Sequence, residues 1–211
     1  MGNDALRFGV TEEQLAYAER LVRHSISEHR VANIWDASKQ HADRSHELRF
    51  TGSLGETIFA DLYGLPRPTR SFGAQDGQDY GSDFNVETAI GKRVVDVKTM
   101  SRTTSILAPH YVLNIPARNL TRPDVVTTHY ACISLHPRGA IKWATLLGEV
   151  ARPDILQGAK GVLFKSGTVR TRADGTTFKF YSDTFEITIA DLNLGDTPRY
   201  LPKDHVKVVI R

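Results

Sequence analysis

Cysteine is almost missing from this chain: Cys132 stands alone among 211 residues. That excludes an internal disulfide and any site built from several thiolates, such as a structural zinc or iron–sulfur centre. Long apolar runs are also missing. Val94-Val95 ahead of Asp96, and Ile187-Thr188-Ile189-Ala190, are broken within a few residues, far short of the roughly 20 that span a bilayer. The opening Met1-Gly2-Asn3-Asp4-Ala5-Leu6-Arg7 has neither the basic start nor the apolar stretch of a secretory signal, so a cytoplasmic protein is expected. Charge of one sign is not concentrated: the formal net charge is +3 with a pI near 9.0, a mild bias toward polyanions that identifies no partner. The eight histidines are scattered, and neither His24 with His29 nor His41 with His46 has the i, i+4 spacing that puts two imidazoles on one helical face. No repeat, low-complexity tract or linker divides the chain.

What is present is an ordinary globular composition, 40% apolar and 24% charged, in a length that allows one substantial core. A single α/β domain over residues 1–211 is expected, with an N-terminal helical layer at 1–50, a central part at 51–135 and further strands at 136–211. Thr11-Glu12-Glu13-Gln14 has the spacing of a capping box. Leu15, Ala18, Val22 and Ile26 continue it as an apolar stripe to about His29. Asp36 to Phe50 is polar and reads as helix or loop. Ser53 is positioned to cap a second helix carrying Leu54, Ile58 and Leu62, stopped by Gly64 and Pro66. Glu56 lies off that stripe and shares a face with Phe59, Ala60 and Tyr63, so its carboxylate leaves a largely apolar surface. Its plainer explanation is a favourable charge near a helix start.

Residues 73–82 are rich in turn formers, and Asp76 and Asp79 read as part of them. Two alternating segments then meet at Gly91-Lys92 as a β-hairpin. Phe84, Val86, Val95 and Val97 fall on one face, and Asp83, Asn85, Glu87, Asp96 and Lys98 on the other. Strands are also expected near Tyr111–Ile115, Tyr130–Leu135, Ile141–Ala144 and Gly161–Phe164. A closing hairpin is expected around Asp174-Gly175, and a short helix at Leu146–Val150.

Phosphodiester hydrolysis needs a deprotonated water, neutralised charge at phosphorus and a stabilised leaving oxygen. Converging carboxylates can hold a hard divalent cation, and a neighbouring lysine can acidify water or offset phosphate charge. Asp96 and Lys98 have that relation, on one side of one strand with Val97 anchoring the other. A tight turn at Gly91-Lys92 would put Glu87 opposite Asp96; a looser hairpin or a bulge would bring Asp83 there. The structural alternative for Asp96 and Lys98 is a surface ion pair with no function.

Gly55-Glu56 in an apolar helix, Gly81-Ser82-Asp83 opening a strand, and Val94-Val95 leading into Asp96-Val97-Lys98 stand in the order that resembles the PD-(D/E)XK nuclease superfamily. Ser82 occupies the position of the proline in the family name. The resemblance covers about residues 50 to 135. It implies a restriction-endonuclease-like mixed β-sheet flanked by α-helices and a Mg²⁺-dependent DNA endonuclease, with Mn²⁺ as a substitute metal. It also implies that Asp83 and Asp96 bind metal, Lys98 assists water and Glu56 supports the site, which favours Asp83 over Glu87. Arg67, Arg70, Arg102, Arg118 and Arg122 are candidate phosphate contacts. Symmetric double-strand cleavage would imply a homodimer. Alternatives are a structure-selective or repair nuclease, such as a resolvase or exonuclease, and a non-cleaving nucleic-acid-binding subunit; the joint presence of Glu56, Asp83, Asp96 and Lys98 argues against the last.

Overall fold

The computed structural model of the chain describes residues 4–28, 39–69, 83–88, 91–171, 175–195 and 198–210. Arg70, the stretch 73–82 with Asp76, Asp79 and Ser82, and residues 172–174, where the closing turn is expected, lie outside them. The architecture is mixed α/β. Strand β1 (Asp4–Gly9) is followed by helices α1 (Glu12–Glu28) and α2 (Lys39–Tyr63), then by the paired strands β2 (Phe84–Thr88) and β3 (Gly91–Ser101). Next come β4 (Val112–Pro116), α3 (Ala117–Thr121), β5 (His129–His136), β6 (Trp143–Ala151) and α4 (Arg152–Leu156). The chain closes with β7 (Val162–Phe164), β8 (Val169–Thr171), β9 (Thr177–Lys179), β10 (Thr184–Thr188) and β11 (Val206–Val209).

Six strands form a mixed sheet in the order β11-β1-β6-β5-β3-β2, with β3 parallel to β5 and the other neighbours antiparallel. One face of the sheet carries Leu6, Phe8, Val95, Val97, Ile133 and Leu146, packed against Leu54, Ile58 and Phe59 of α2 and Ala18 of α1. The other carries Tyr130, Cys132 and Leu147, packed against Leu113 and Ile115 of β4 and Ile187 of β10. Those two strands belong to a second, antiparallel sheet, β4-β10-β7. The large sheet is therefore sandwiched between a helical layer and a small sheet, which buries apolar area on both faces. No helix among the described residues is long and apolar enough to cross a membrane.

The capping box forms as its spacing predicts: Thr11 N donates to Gln14 Oε1 and Gln14 N to Thr11 Oγ1, both at 3.1 Å. Leu54, Ile58 and Leu62 are buried as the stripe of α2. Past its end Gly64 takes φ 65°, letting Leu65 N reach the Ala60 carbonyl at 2.8 Å. The expected start at Ser53 is corrected: α2 begins at Lys39, and Ser53 is interior, its hydroxyl buried without a hydrogen-bond partner. Lys39, Gln40, Ala42, Glu47, Leu48 and Arg49 are good helix formers, so propensity carries a turn-after-turn extension that no apolar stripe announces. The expected helix at Leu146–Val150 is corrected too. Those residues are central in β6, where every side chain from Ala144 to Val150 is buried; a strand covered on both faces loses its alternation and resembles a short buried helix. The N-terminal layer is not wholly helical either, since β1 sits between β11 and β6. The pairing of β8 with β9 matches the expected closing hairpin.

Candidate active site

The hairpin register decides which acid meets Asp96. Thr88 pairs with Gly91, Glu87 with Lys92 and Phe84 with Val95, so Gly91 and Lys92 belong to the strand and Glu87 lies at the far end from Asp96. One position beyond Phe84, Asp83 N donates to Val95 O at 2.9 Å, and Asp83 Oδ2 accepts Val97 N at 2.6 Å. The Asp83 carboxylate thus takes the place of a strand carbonyl where β2 stops, and is held beside Asp96-Val97-Lys98.

Asp96 is 5% exposed, which for an ionised carboxylate demands a partner. Lys98 Nζ supplies it at 2.6 Å from Oδ1. Burial alone would lower the Lys98 pKa; the Asp96 carboxylate, then those of Asp83 and Glu56, outweigh it and hold the ammonium above the usual lysine range. Four groups from three stretches of the sequence, at 56, 83 and 96–98, therefore share one electrostatic environment. Lys98 Nζ also stands 6.0 Å from the centre of the Tyr130 ring. Tyr130 pairs with Asp96 across β3 and β5 and donates its hydroxyl to Asn119 O at 3.0 Å. Burial and the Asp96 charge push its phenol above its ordinary value, with Arg152 and Arg122 acting the other way. Tyr130 was legible only as a strand residue, since an aromatic in an apolar run carries no sign of the charge beside it.

Glu56 is half-buried and interior to α2, so the macrodipole explanation for it lapses. Gly55 explains how it gets there. A Cβ at this position would lie 2.8 Å from both Cβ and Cγ2 of Thr99 and would overlap Thr99 Oγ1, so only glycine lets α2 approach β3 this closely. All the donors in the group are carboxylate oxygens, the type a hard divalent cation takes. With the side chains as they stand, however, no three metal-ligating groups converge among the described residues. The Lys98 ammonium supplies a positive charge at Asp96.

The candidate phosphate contacts differ in how free they are. Arg67 is occupied: it binds Glu13 at 2.5 and 2.7 Å and Asp61 at 2.7 and 2.8 Å, and lies over the Tyr17 ring, tying α1 to α2. Arg102 lies 4.4 Å from the Tyr111 ring centre, and burial lowers its pKa. Arg118 is exposed at α3. Arg122, 3.4 Å from Asp124, acts electrostatically on Tyr130.

A cleft of about 580 Å³ opens elsewhere on the large sheet, lined by Arg7, Thr104, Ser105, His136, Trp143 and Asp204 among others. Sequence reasoning missed it because its residues come from β1, β5, β6, β11 and the loops between elements. Burial and the Arg7 cation push His136 down to about 4 from 6.5. Between those values the unfolded chain binds a proton that the folded protein does not. Stability is therefore present above pH 6.5 and is lost as pH falls toward 4, at up to about 1.4 kcal/mol per pH unit. Melting temperatures from pH 7.5 to 4.5 should fall more steeply for the wild type than for His136→Gln; parallel curves would refute this.

Comparison of the chain with protein-family models, curated proteins and solved structures gave no match in any of the three.

Proposed function

We propose that the chain is a Mg²⁺-dependent DNA endonuclease with a restriction-endonuclease-like core, acting as a restriction or other defence nuclease. The observation that carries this reading is the meeting of Asp83, Asp96 and Glu56 around Lys98, from two strands and a helix. A surface ion pair would not recruit a second strand end and a helical carboxylate, nor bury Asp96.

Asp83, Asp96 and Glu56 would hold the cation, with Mn²⁺ as substitute. When bound, it would polarise a phosphate oxygen and lower the pKa of water. Lys98, kept protonated by its acidic neighbours, acts as a fixed positive charge and not as a base. It offsets the charge that develops on phosphate and steadies the attacking water by hydrogen bonding. Asp96 orients that ammonium, Val97 pins the strand between them into the helical-side core, and Asp83 fixes the local path of β3 through Val97 N.

The test is cleavage of supercoiled plasmid, linear duplex, branched and single-stranded DNA, with and without Mg²⁺. Metal-dependent nicking or linearisation of plasmid is expected. Activity confined to ends or branches would move the protein to the exonuclease or resolvase class, and no cleavage of any substrate would sink the nuclease reading. The tight Asp96–Lys98 contact favours one second reading, a non-cleaving nucleic-acid-binding subunit whose lysine has replaced the metal. Such a protein would show no Mn²⁺ site abolished by Asp96→Asn.

A further inference from the structure

We propose that the cleft beside Trp143 is a nucleobase-binding pocket. It lies on the same face of the large sheet as Asp96 and Lys98. In register across the strands, Lys98 neighbours Cys132 and Met100 neighbours Ser134, then Ser134 neighbours Thr145 and His136 neighbours Trp143, and Thr145 neighbours Arg7. From β3 to β6 is two strand spacings, about 10 Å, and from the level of Lys98 at Cys132 to that of Trp143 at His136 is four residues along β5, about 13 Å, a separation that one extended strand of nucleic acid can bridge.

The polar groups of the cleft are fixed before any ligand arrives. Arg7 Nε, always a donor, points at Thr145 Oγ1 at 3.3 Å, and Arg7 Nη2 donates to Ser105 O. Thr145 Oγ1 is 3.3 Å from His136 Nε2. His136 is 1% exposed and its Nδ1 has no partner. That leaves a buried polar atom at the back of the cleft without a hydrogen bond. At the opposite chemical pole, Asp204 Oδ2 is anchored by Gly9 N at 2.8 Å, which sets a carboxylate in the wall. Trp143 is 42% exposed although it sits at the start of a strand otherwise buried. The volume, about 580 Å³, falls in the range of small-ligand sites.

The Arg7 guanidinium as donor, the anchored Asp204 carboxylate as acceptor and the exposed Trp143 indole match a planar heterocycle that carries both an acceptor and an amino group on its edge. A bare phosphate would meet the Asp204 carboxylate and gain nothing from the indole. A nucleobase can come from a free nucleotide or from an unpaired position in a strand, and the chemistry is shared. Stacking on an aromatic side chain is the recurrent way proteins hold such bases.

The test measures binding in EDTA, so that cleavage does not enter. In a Trp35→Phe background Trp143 is the remaining tryptophan, and its fluorescence is followed on titration with the four deoxynucleoside monophosphates, short single-stranded oligonucleotides, the same oligonucleotides with abasic sites, and inorganic phosphate. Saturable quenching by base-containing ligands is expected, lost on abasic substitution. The affinity of Trp143→Ala for a labelled oligonucleotide, read by anisotropy, should fall about tenfold. Equal quenching by mononucleotides identifies a free nucleotide as the ligand, and quenching by oligonucleotides alone identifies a base in a strand. Equal binding of abasic and intact oligonucleotides, quenching by inorganic phosphate alone, absence of quenching, or unchanged affinity of Trp143→Ala each overturns the proposal. Cleavage by a protein that fails these tests would leave the nuclease reading intact, and base binding without cleavage would do the reverse.

Discussion

Lys98→Ala is expected to cleave plasmid DNA at least about a hundredfold more slowly than the wild type, with little change in its affinity for DNA. The side chain removed is the cation paired with Asp96, 2.6 Å from Oδ1, and its charge is set against three carboxylates. Removing it withdraws positive charge from the place where a phosphate would gain negative charge, a loss felt in the transition state more than in binding. A buried carboxylate deprived of its partner also destabilises the fold, which on its own could lower activity. Two measurements separate these causes. Chemical denaturation gives the folded fraction under assay conditions. Mn²⁺ titration should show Lys98→Ala binding the ion at least as tightly as wild type, because the competing ammonium is gone. A folded Lys98→Ala protein that cleaves at the wild-type rate would exclude the proposed role of Lys98. Loss of the ion site together with activity would mean that the lysine holds the acidic group together rather than acting on phosphate.

Much of this site was readable along the chain, and what was not has a physical reason. Alternation alone put Asp96 and Lys98 on one side of a strand and Val95 and Val97 on the other, because the period of two is a property of the pleated backbone. It could not settle the partner of Asp96. A hairpin's register depends on where the turn closes, and sliding β2 four positions along β3, which keeps the same face, exchanges Asp83 for Glu87 opposite Asp96. The pairing of Thr88 with Gly91 decides it geometrically, and the capture of Val97 N by Asp83 Oδ2 adds a contact no pattern announces. The burial of Asp96 was likewise hidden, for it lies beside Tyr130 on a strand that comes later in the chain.

The fold was legible where local chemistry and packing agree, as in the capping box of α1 and the Leu54–Ile58–Leu62 stripe. It was not legible where they part. The first turns of α2 have helix-forming residues without an apolar stripe, and β6 has an apolar run without alternation. In both, the missing information lies in the neighbours: which face of the segment is covered, and by what. Arg67 makes the same point for charge. As a sequence element it is a loose cation after a helix, but in space Glu13, Asp61 and Tyr17 already occupy it.

Gly55→Val is expected to destabilise the protein by about 1–3 kcal/mol and to lower cleavage far more than that loss of stability explains. Two glycines in α2 allow the comparison. A Cβ at Gly52 meets nothing within 4 Å, whereas one at Gly55 meets Thr99 Cβ and Cγ2 at 2.8 Å. Both positions are helical and share the propensity penalty of glycine, so alanine at either gains about 1 kcal/mol from propensity. Gly52→Ala should therefore be neutral or more stable with full activity. At Gly55 the overlap is with a side chain rooted in β3, next to Lys98, and neither partner is the far end of a flexible chain. The relief available is for α2 to lift from the sheet, which carries Glu56 away from Lys98. A displacement near 1 Å in a positioned group can cost about a hundredfold in rate. Thr99→Gly in the Gly55→Ala protein clears the overlapping atoms and should restore activity in part while costing further stability, a signature that general unfolding does not produce. If Gly55→Val and Gly52→Val lose activity equally, the close approach at Gly55 does not position the site, and Glu56 is a bystander in it.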